Sequence, residues 1–288
     1  SSAPTALAGG DGNGTVFNMS MAEFLLNHSR VTYCDDALVA NWSCLVCTNS
    51  TAMAGFQPYL VTGENKRHVF AYVGYSPERD MVISVFRGTM YLINWIQDLE
   101  YYKMDSRYGE CGEDPSNLGA TKCMVHSGFY DDWLSVRDQV LIANRKALHD
   151  HPTASVSVTG HSLGGALAAF GALEISLMLQ RTDVGCYTFG EPRVGNKYFA
   201  HFWSTWVPQG IRVVHRDDIV PHLPPRGNTV MLLTDFHHTR TEVWQTDDEN
   251  FTTCDGSGED PKCSDSIPQW DRSIEAHLWY LGRLMRCV

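Results

Sequence analysis

The chain has 288 residues, 43% of them hydrophobic and 19% charged, with a formal net charge of -11. That apolar share suits one large core better than two small ones, and the acidic balance disfavours nucleic acid and anionic membrane while leaving uncharged oil surfaces open. No unbroken apolar run reaches the ~18 residues of a transmembrane helix.

Ser1 to Gly14 is small, polar and Gly-rich and reads as a mature start after processing; residues 1–19 are expected to form a flexible N-terminal segment. Asn-x-Ser/Thr sequons stand at Asn13, Asn18, Asn27, Asn41, Asn49 and Asn250, alongside nine cysteines. Sequons matter only on a glycosylating secretory route, where disulfides also persist, so a secreted, extracellular protein is expected. Five of the six sequons lie in the first 51 residues, which predicts a mostly exposed N-terminal region.

Ser20 followed by Glu23 has capping-box spacing, and Met21, Phe24, Leu25 and Val31 continue a helix to about Tyr33. Val69–Val73 and Met81–Phe86 read as strands on either side of the turn-prone Ser76-Pro77-Glu78-Arg79-Asp80. Phe129, Trp133, Val136, Val140 and Ala143 mark one apolar face of a long helix. Ala154–Thr159 reads as a strand and Leu163–Leu179 as a helix. Cys186–Phe189, Ile211–Val214, Val230–Leu233 and Glu242–Trp244 are further strand candidates. Strands alternating with helices predict a mostly parallel sheet covered on both faces, with sites at the carboxyl ends of its strands.

One such site is marked by Gly160-His161-Ser162-Leu163-Gly164, a G-x-S-x-G run with a strand leading in and a helix leading out. The tight turn strains the serine and lifts its hydroxyl out of the sheet. Gly160 and Gly164 let strand and helix pass closely, and the first helical turn offers free N–H groups to a developing oxyanion. A chance Gly-rich turn is the bland alternative. The extra Gly165 and the small-residue helix start Ala166-Leu167-Ala168-Ala169 weigh against it.

Such a serine needs a general base and a group to orient that base, in the chain order Ser, Asp or Glu, His. Six histidines follow it: His201, His215, His222, His237, His238 and His277. Spacing cannot choose among them. His277 is favoured by lying after every predicted strand and before the anchoring run Leu278-Trp279-Tyr280. Asp217 and Asp218 both follow the strand Ile211–Val214, and Asp183 and Asp235 are worse placed.

Together, Phe86-Arg87-Gly88-Thr89, Gly160–Gly165, Phe189-Gly190-Glu191-Pro192-Arg193-Val194-Gly195-Asn196, Asp218-Ile219-Val220-Pro221-His222-Leu223-Pro224 and His277-Leu278-Trp279-Tyr280 resemble the filamentous-fungal class 3 lipases and related feruloyl esterases over about residues 20–288. The resemblance implies one α/β-hydrolase domain over residues 1–288, with Asp218 orienting His277 as base, and Thr89 with the Leu163 N–H as oxyanion hole. It makes Met90–Leu99 (about residues 90–100) a short lid helix. Leu92, Trp95, Ile96 and Leu99 share an apolar face there, with Ile93 beside them, opposite Asn94, Gln97 and Asp98. An ordinary core helix is the alternative. Disulfides Cys34–Cys287, Cys44–Cys47 and Cys111–Cys123 are likewise implied. Cys254–Cys263 is the remaining local pair and Cys186 a buried free thiol. Cys44-Leu45-Val46-Cys47 has redox-motif spacing, but with no strand before it and no helix after it, a structural bridge is expected. Arg87, His126 and His161 are expected to hold the loops rather than touch substrate.

The function read from these features is a secreted serine esterase acting as a monomer on acylglycerols at an oil–water interface. It needs neither cofactor nor metal. A feruloyl-type or other soluble-ester carboxylesterase is the alternative, and a catalytically dead lipid-binding protein a remoter one.

Overall fold

The computed structural model describes residues 16–63, 67–99, 102–105, 108, 111, 122–226, 235–247 and 249–288. In chain order these form α1 (Met19–Val31), α2 (Asp36–Ala40), α3 (Leu45–Thr48), β1 (Gln57–Val61), β2 (Ala71–Ser76), β3 (Met81–Phe86) and α4 (Leu92–Asp98). Then come β4 (Lys103–Asp105), β5 (Met124–His126), α5 (Ser127–Asp150), β6 (Ser155–His161), α6 (Leu163–Leu179), β7 (Gly185–Phe189) and α7 (Lys197–Trp206). The last are β8 (Gly210–His215), β9 (Glu242–Gln245), β10 (Phe251–Thr253), α8 (Ile274–His277), β11 (Trp279–Tyr280) and β12 (Arg283–Leu284). The strand candidate Val230–Leu233 and the sequon at Asn13 lie outside the described residues.

Eight strands form one sheet in the order β1-β2-β3-β6-β7-β8-β9-β10. The run β3-β6-β7-β8-β9 is parallel, and the outer strands pair antiparallel. Parallel strands buried on both faces should read as near-continuous apolar runs, and β3 is buried along its whole length. Alternate residues of these strands feed two separate cores. Val82, Phe86, Val156 and Val158 pack with α5, α6 and α7 on one face. Ile83, Val85, Phe189 and Val213 pack with α1 and with Tyr280 and Met285 on the other. Helix α6 is buried nearly all round, as its Ala- and Gly-rich sequence allows against a close sheet. This layering is the α/β-hydrolase arrangement.

The N-terminal region departs from expectation. Far from being surface, α1 buries Ala22, Phe24, Leu25, Leu26 and Val31 and even Asn27-His28-Ser29. The Asn27 amide oxygen accepts a bond from Arg30 at 3.1 Å. Asn27 is thus buried in the folded chain, because the helix carrying it is a wall of the second core. Phe17 stacks on Phe251 at 5.3 Å, and Asn18 Oδ1 caps α1 by accepting from Met21 N at 3.0 Å, while Val16 is exposed. The cap is therefore Asn18 and not Ser20, whose hydroxyl instead accepts from Arg79 at 3.0 Å. A one-turn helix, α3, spans the Cys44–Cys47 motif and ends one residue past it, so no helix follows the motif, as expected. Strands β1 and β10 escaped sequence reading because they are short sheet margins with much exposed surface. Helix α7 carried a usable signal in Phe199, Ala200 and Trp203 behind the N-cap Asn196.

The four bridges are Cys34–Cys287, Cys44–Cys47, Cys111–Cys123 and Cys254–Cys263, with Cys186 a buried free thiol. Burial, reinforced by Glu191, raises the Cys186 pKa well above the ordinary thiol range, which keeps it inert.

Candidate active site

Four parallel strands deliver the candidate residues at their carboxyl ends: β3 leads to Thr89, β6 to Ser162, β7 to Gly190 and β8 to Asp218. Ser162 sits between β6 and α6 with φ 62° and ψ -132°, a conformation side chains disfavour. Its surroundings enforce that turn. A Cβ on residue 160 would stand 2.1 Å from the Gly164 carbonyl oxygen, and one on residue 164 would stand 2.2 Å from that of Phe86. Only glycine fits either place. The Ser162 N–H donates to the Phe189 carbonyl at 2.9 Å, which ties the elbow to the neighbouring strand.

His277 ends α8 and is fully buried, as is Asp218. The imidazole donates Nδ1–H to Asp218 Oδ2 at 2.7 Å. Asp218 also accepts from Val220 N at 2.8 Å and from the Tyr280 hydroxyl. Three donors thus hold one carboxylate, and the imidazole is left with Nε2 free. Among the described residues neither His277 Nε2 nor Ser162 Oγ has a hydrogen-bond partner, and both are buried. Both stand next to His161. The imidazole lies 4.4 Å from the ring of His161, the residue before the serine, and within 2.7 Å of where a Cβ on residue 190 would stand.

The other candidates are occupied elsewhere. His215 bonds the Ala276 carbonyl, His222 pairs with Asp265 at 3.3 Å, and His238 bonds the Pro221 carbonyl. His201 is exposed, and His237 bonds the His238 carbonyl. Asp217 is partly exposed, and its carbonyl accepts from Ser273 N.

A network that sequence reading missed binds these loops together. The Gly88 N–H donates to the Tyr33 hydroxyl, which donates to His161 Nδ1 at 2.7 Å; His161 Nε2–H then donates to the His277 carbonyl at 2.9 Å. Burial, then the nearby His277, pushes the His161 pKa well below the ordinary imidazole value, so His161 stays neutral and keeps this one tautomer. Burial raises the Tyr33 phenol, which remains a donor. Nothing in the sequence around Tyr33 marks it, since it is a single aromatic after a helix.

Residue 88 abuts the serine, with its Cβ position only 2.9 Å from Ser162 Cβ, so Thr89 lies one residue away. Its Oγ1 accepts from Tyr91 N at 3.2 Å, leaving the O–H free to donate. Leu163 opens α6, where an N–H has no partner within the helix. Arg87 bonds the His68 carbonyl and lies 5.1 Å over the Phe70 ring, and His126 caps α5 through Phe129 N. Both hold structure. Helix α4 starts three residues after Thr89 and buries no residue. Trp95 stacks on Phe129 at 6.0 Å, while Tyr91 and Ile93 are 73% and 57% exposed. A cavity of about 400 Å³ lies between α4 and the start of α5, lined by Thr89, Tyr91, Trp95, His126 and Phe129 among others.

Residues 83–228 match the family model for class 3 lipases. The chain belongs to the class 3 lipase family. This class 3 lipase is 32% identical to a lipase of Rhizomucor miehei, across 88% of the chain and 66% of that protein, so it spans about two thirds of its relative's length. It is 30% identical to the secreted mono- and diacylglycerol lipase 1 of Fusarium solani, across 95% of the chain and 79% of that protein. A solved triacylglycerol lipase, described as having a serine protease triad at its catalytic centre, superposes with a TM-score of 0.78 at 28% identity, covering 94% of this chain and 97% of its own.

Proposed function

We propose that the protein is a secreted serine esterase that hydrolyses acylglycerol esters through Ser162, His277 and Asp218, working as a monomeric catalytic domain at an oil–water interface. The observation carrying this reading is the pair of buried, unpartnered atoms, Ser162 Oγ and His277 Nε2, on residues that both stand next to His161, with His277 fixed by Asp218. Leaving such atoms unsatisfied costs about 1–3 kcal/mol each, and a proton transfer between them would give both a role. Ser162 Oγ attacks the ester carbonyl as His277 Nε2 takes its proton. The oxyanion is held by the Leu163 N–H and Thr89. His277 then protonates the departing glycerol alkoxide, leaving an acyl-serine. Water, deprotonated by His277, attacks that ester; the acyl–Oγ bond breaks, His277 returns the proton to Ser162 Oγ, and the fatty acid is released. Asp218 stays a carboxylate throughout, fixing the tautomer and steadying the imidazolium.

Ser162 is only 1% exposed, so a bulky ester cannot reach it until a covering segment moves. We assign that movement to α4 with Leu92, Ile93, Trp95, Ile96 and Leu99. A core helix would bury side chains, and α4 buries none. Apolar surface transferred into oil at about 25 cal/mol per Å² would favour the open form. The mono- and diacylglycerol lipase of Fusarium solani and the solved triacylglycerol lipase support acylglycerols as the substrate class.

Ser162→Ala is expected to lower turnover of a tributyrin emulsion by about 10⁶ and to abolish labelling by a fluorophosphonate. Near-normal hydrolysis by that variant would end the proposal. A rate jump as a short-chain ester passes its solubility limit is expected of the lid. Smooth saturation through that limit would point instead to a soluble-ester carboxylesterase.

A further inference from the structure

Four cysteines with no part in ester chemistry stand against one another. Cys34 is bridged to Cys287, near the chain's last residue, and Cys44 is bridged to Cys47 around the single turn of α3. The Sγ atoms of Cys34, Cys44 and Cys287 all lie within 4.8 Å of one another. Both sulfurs of the long-range bridge therefore sit beside a sulfur of the local one. By contrast, the neighbour of the Cys254–Cys263 bridge in such a cluster is a carboxylate, Glu242. Access is graded across the four. Cys34, Cys44 and Cys47 are buried, whereas Cys287 is partly exposed.

We propose that these four residues form an internal thiol–disulfide exchange site, in which the partly exposed bridge receives an external thiol and hands the exchange to the buried one. A small thiol of the glutathione class, as its thiolate, attacks Cys287 Sγ. An S–S bond to Cys287 forms, the Cys34–Cys287 bond breaks, and the electron pair leaves on Cys34. The Cys34 thiolate attacks Cys44 Sγ; a Cys34–Cys44 bond forms, the Cys44–Cys47 bond breaks, and Cys47 leaves as a thiolate that takes a proton from water. Two disulfides and one thiol are present before and after, so no oxidant or reductant is consumed. Thiol exchange is limited by thiolate access to the attacked sulfur, and here attacker and target are already neighbours.

The outcome exchanges a tie between α1 and the chain end for a local tie between Cys34 and Cys44. The C-terminal residues are then held by weaker means, such as the bond from Arg30 to the Leu284 carbonyl at 3.0 Å. The proposal is independent of the hydrolase reading, because it uses none of the same residues.

Folded protein exposed to a limiting amount of reduced glutathione, quenched over time with an alkylating reagent and mapped by mass spectrometry, tests this. The expected products are a Cys34–Cys44 cross-linked peptide, glutathione on Cys287, and the alkyl label mostly on Cys47. Label on Cys34 with Cys44–Cys47 intact throughout overturns the proposal. The variant Cys287→Ser leaves Cys34 without a partner, and its free thiol is expected mainly on Cys47; a free thiol confined to Cys34 also overturns it. Should that variant fail to accumulate, the time course on the native chain decides alone.

Discussion

Gly190→Ala probes the site without touching a group that does chemistry. Residue 190 has φ 61°, in the left-handed region, and its added Cβ would stand 2.7 Å from His277 Cε1, 2.8 Å from His277 Nδ1 and 2.8 Å from the Tyr280 hydroxyl. Restoring an ordinary contact near 3.4 Å pushes the imidazole back by roughly 0.7 Å, away from the serine or off the Asp218 carboxylate. Misplacing a catalytic group by about 1 Å costs up to ~10² in rate, so turnover should fall by about 10 to 10². Backbone strain adds ~1–2 kcal/mol, which lowers Tm by only a few degrees and leaves the variant folded at room temperature. The assay is kcat on a short-chain nitrophenyl ester below its solubility limit, with the fluorophosphonate inactivation rate measured in parallel and Tm as the folding control. A folded variant with kcat and inactivation rate within twofold of the parent would refute the claim that Gly190 sets the position of the base.

Tyr33→Phe removes the acceptor for the Gly88 N–H and the donor to His161. Its kcat is expected to fall by roughly tenfold with KM for a soluble ester little changed, since a strained oxyanion loop affects the transition state more than binding; a pure KM effect would contradict this. Glu191 is buried beside the first turn of α6, and burial, outweighing Arg212 and the Thr188 and Thr239 hydroxyls, raises its pKa from 4.5 to about 7. Because the folded chain holds this proton while the unfolded chain releases it, stability should decline as pH rises from about 4.5 to about 7, by about 3 kcal/mol. Glu191→Gln should flatten that slope in urea unfolding measured across the same range, and an unchanged slope would place the pH dependence elsewhere. Arg193 pairs with Glu259 through two bonds of 2.8 and 2.7 Å, both side chains being almost fully buried. Arg193→Met strands the carboxylate and should cost about 3–5 kcal/mol by denaturant unfolding, with Glu259→Gln in the same chain recovering part of it; no recovery would argue that packing, not charge, dominates there.

How far the chain could be read without coordinates followed the range of the forces involved. Gly160 was legible because its clash is with the Gly164 carbonyl four residues on, and such sterics are written in adjacent letters, whereas Gly164 answers to the distant Phe86 carbonyl and was carried by the motif as a whole. Apolar periodicity likewise located α5, whose one apolar face meets one core, while α6 and the central strands were legible as small-residue or near-continuous apolar runs, because they are buried nearly all round or on both faces. The class of the whole came from ordered motifs resembling a family, not from periodicity. Choosing among six histidines lay beyond the residues alone. Packing decided where each went, and only the fold turned His201 outward, locked His215, His222 and His238 onto other partners and left His277 Nε2 free. The burial of α1 was misjudged for the same reason, because sequons advertise exposure while packing against Ile83, Val85 and Phe189 is a property of the assembled sheet. Tyr33 acquires its role only where the ends of β3 and β6 and the His277 carbonyl meet, three places that no linear pattern connects.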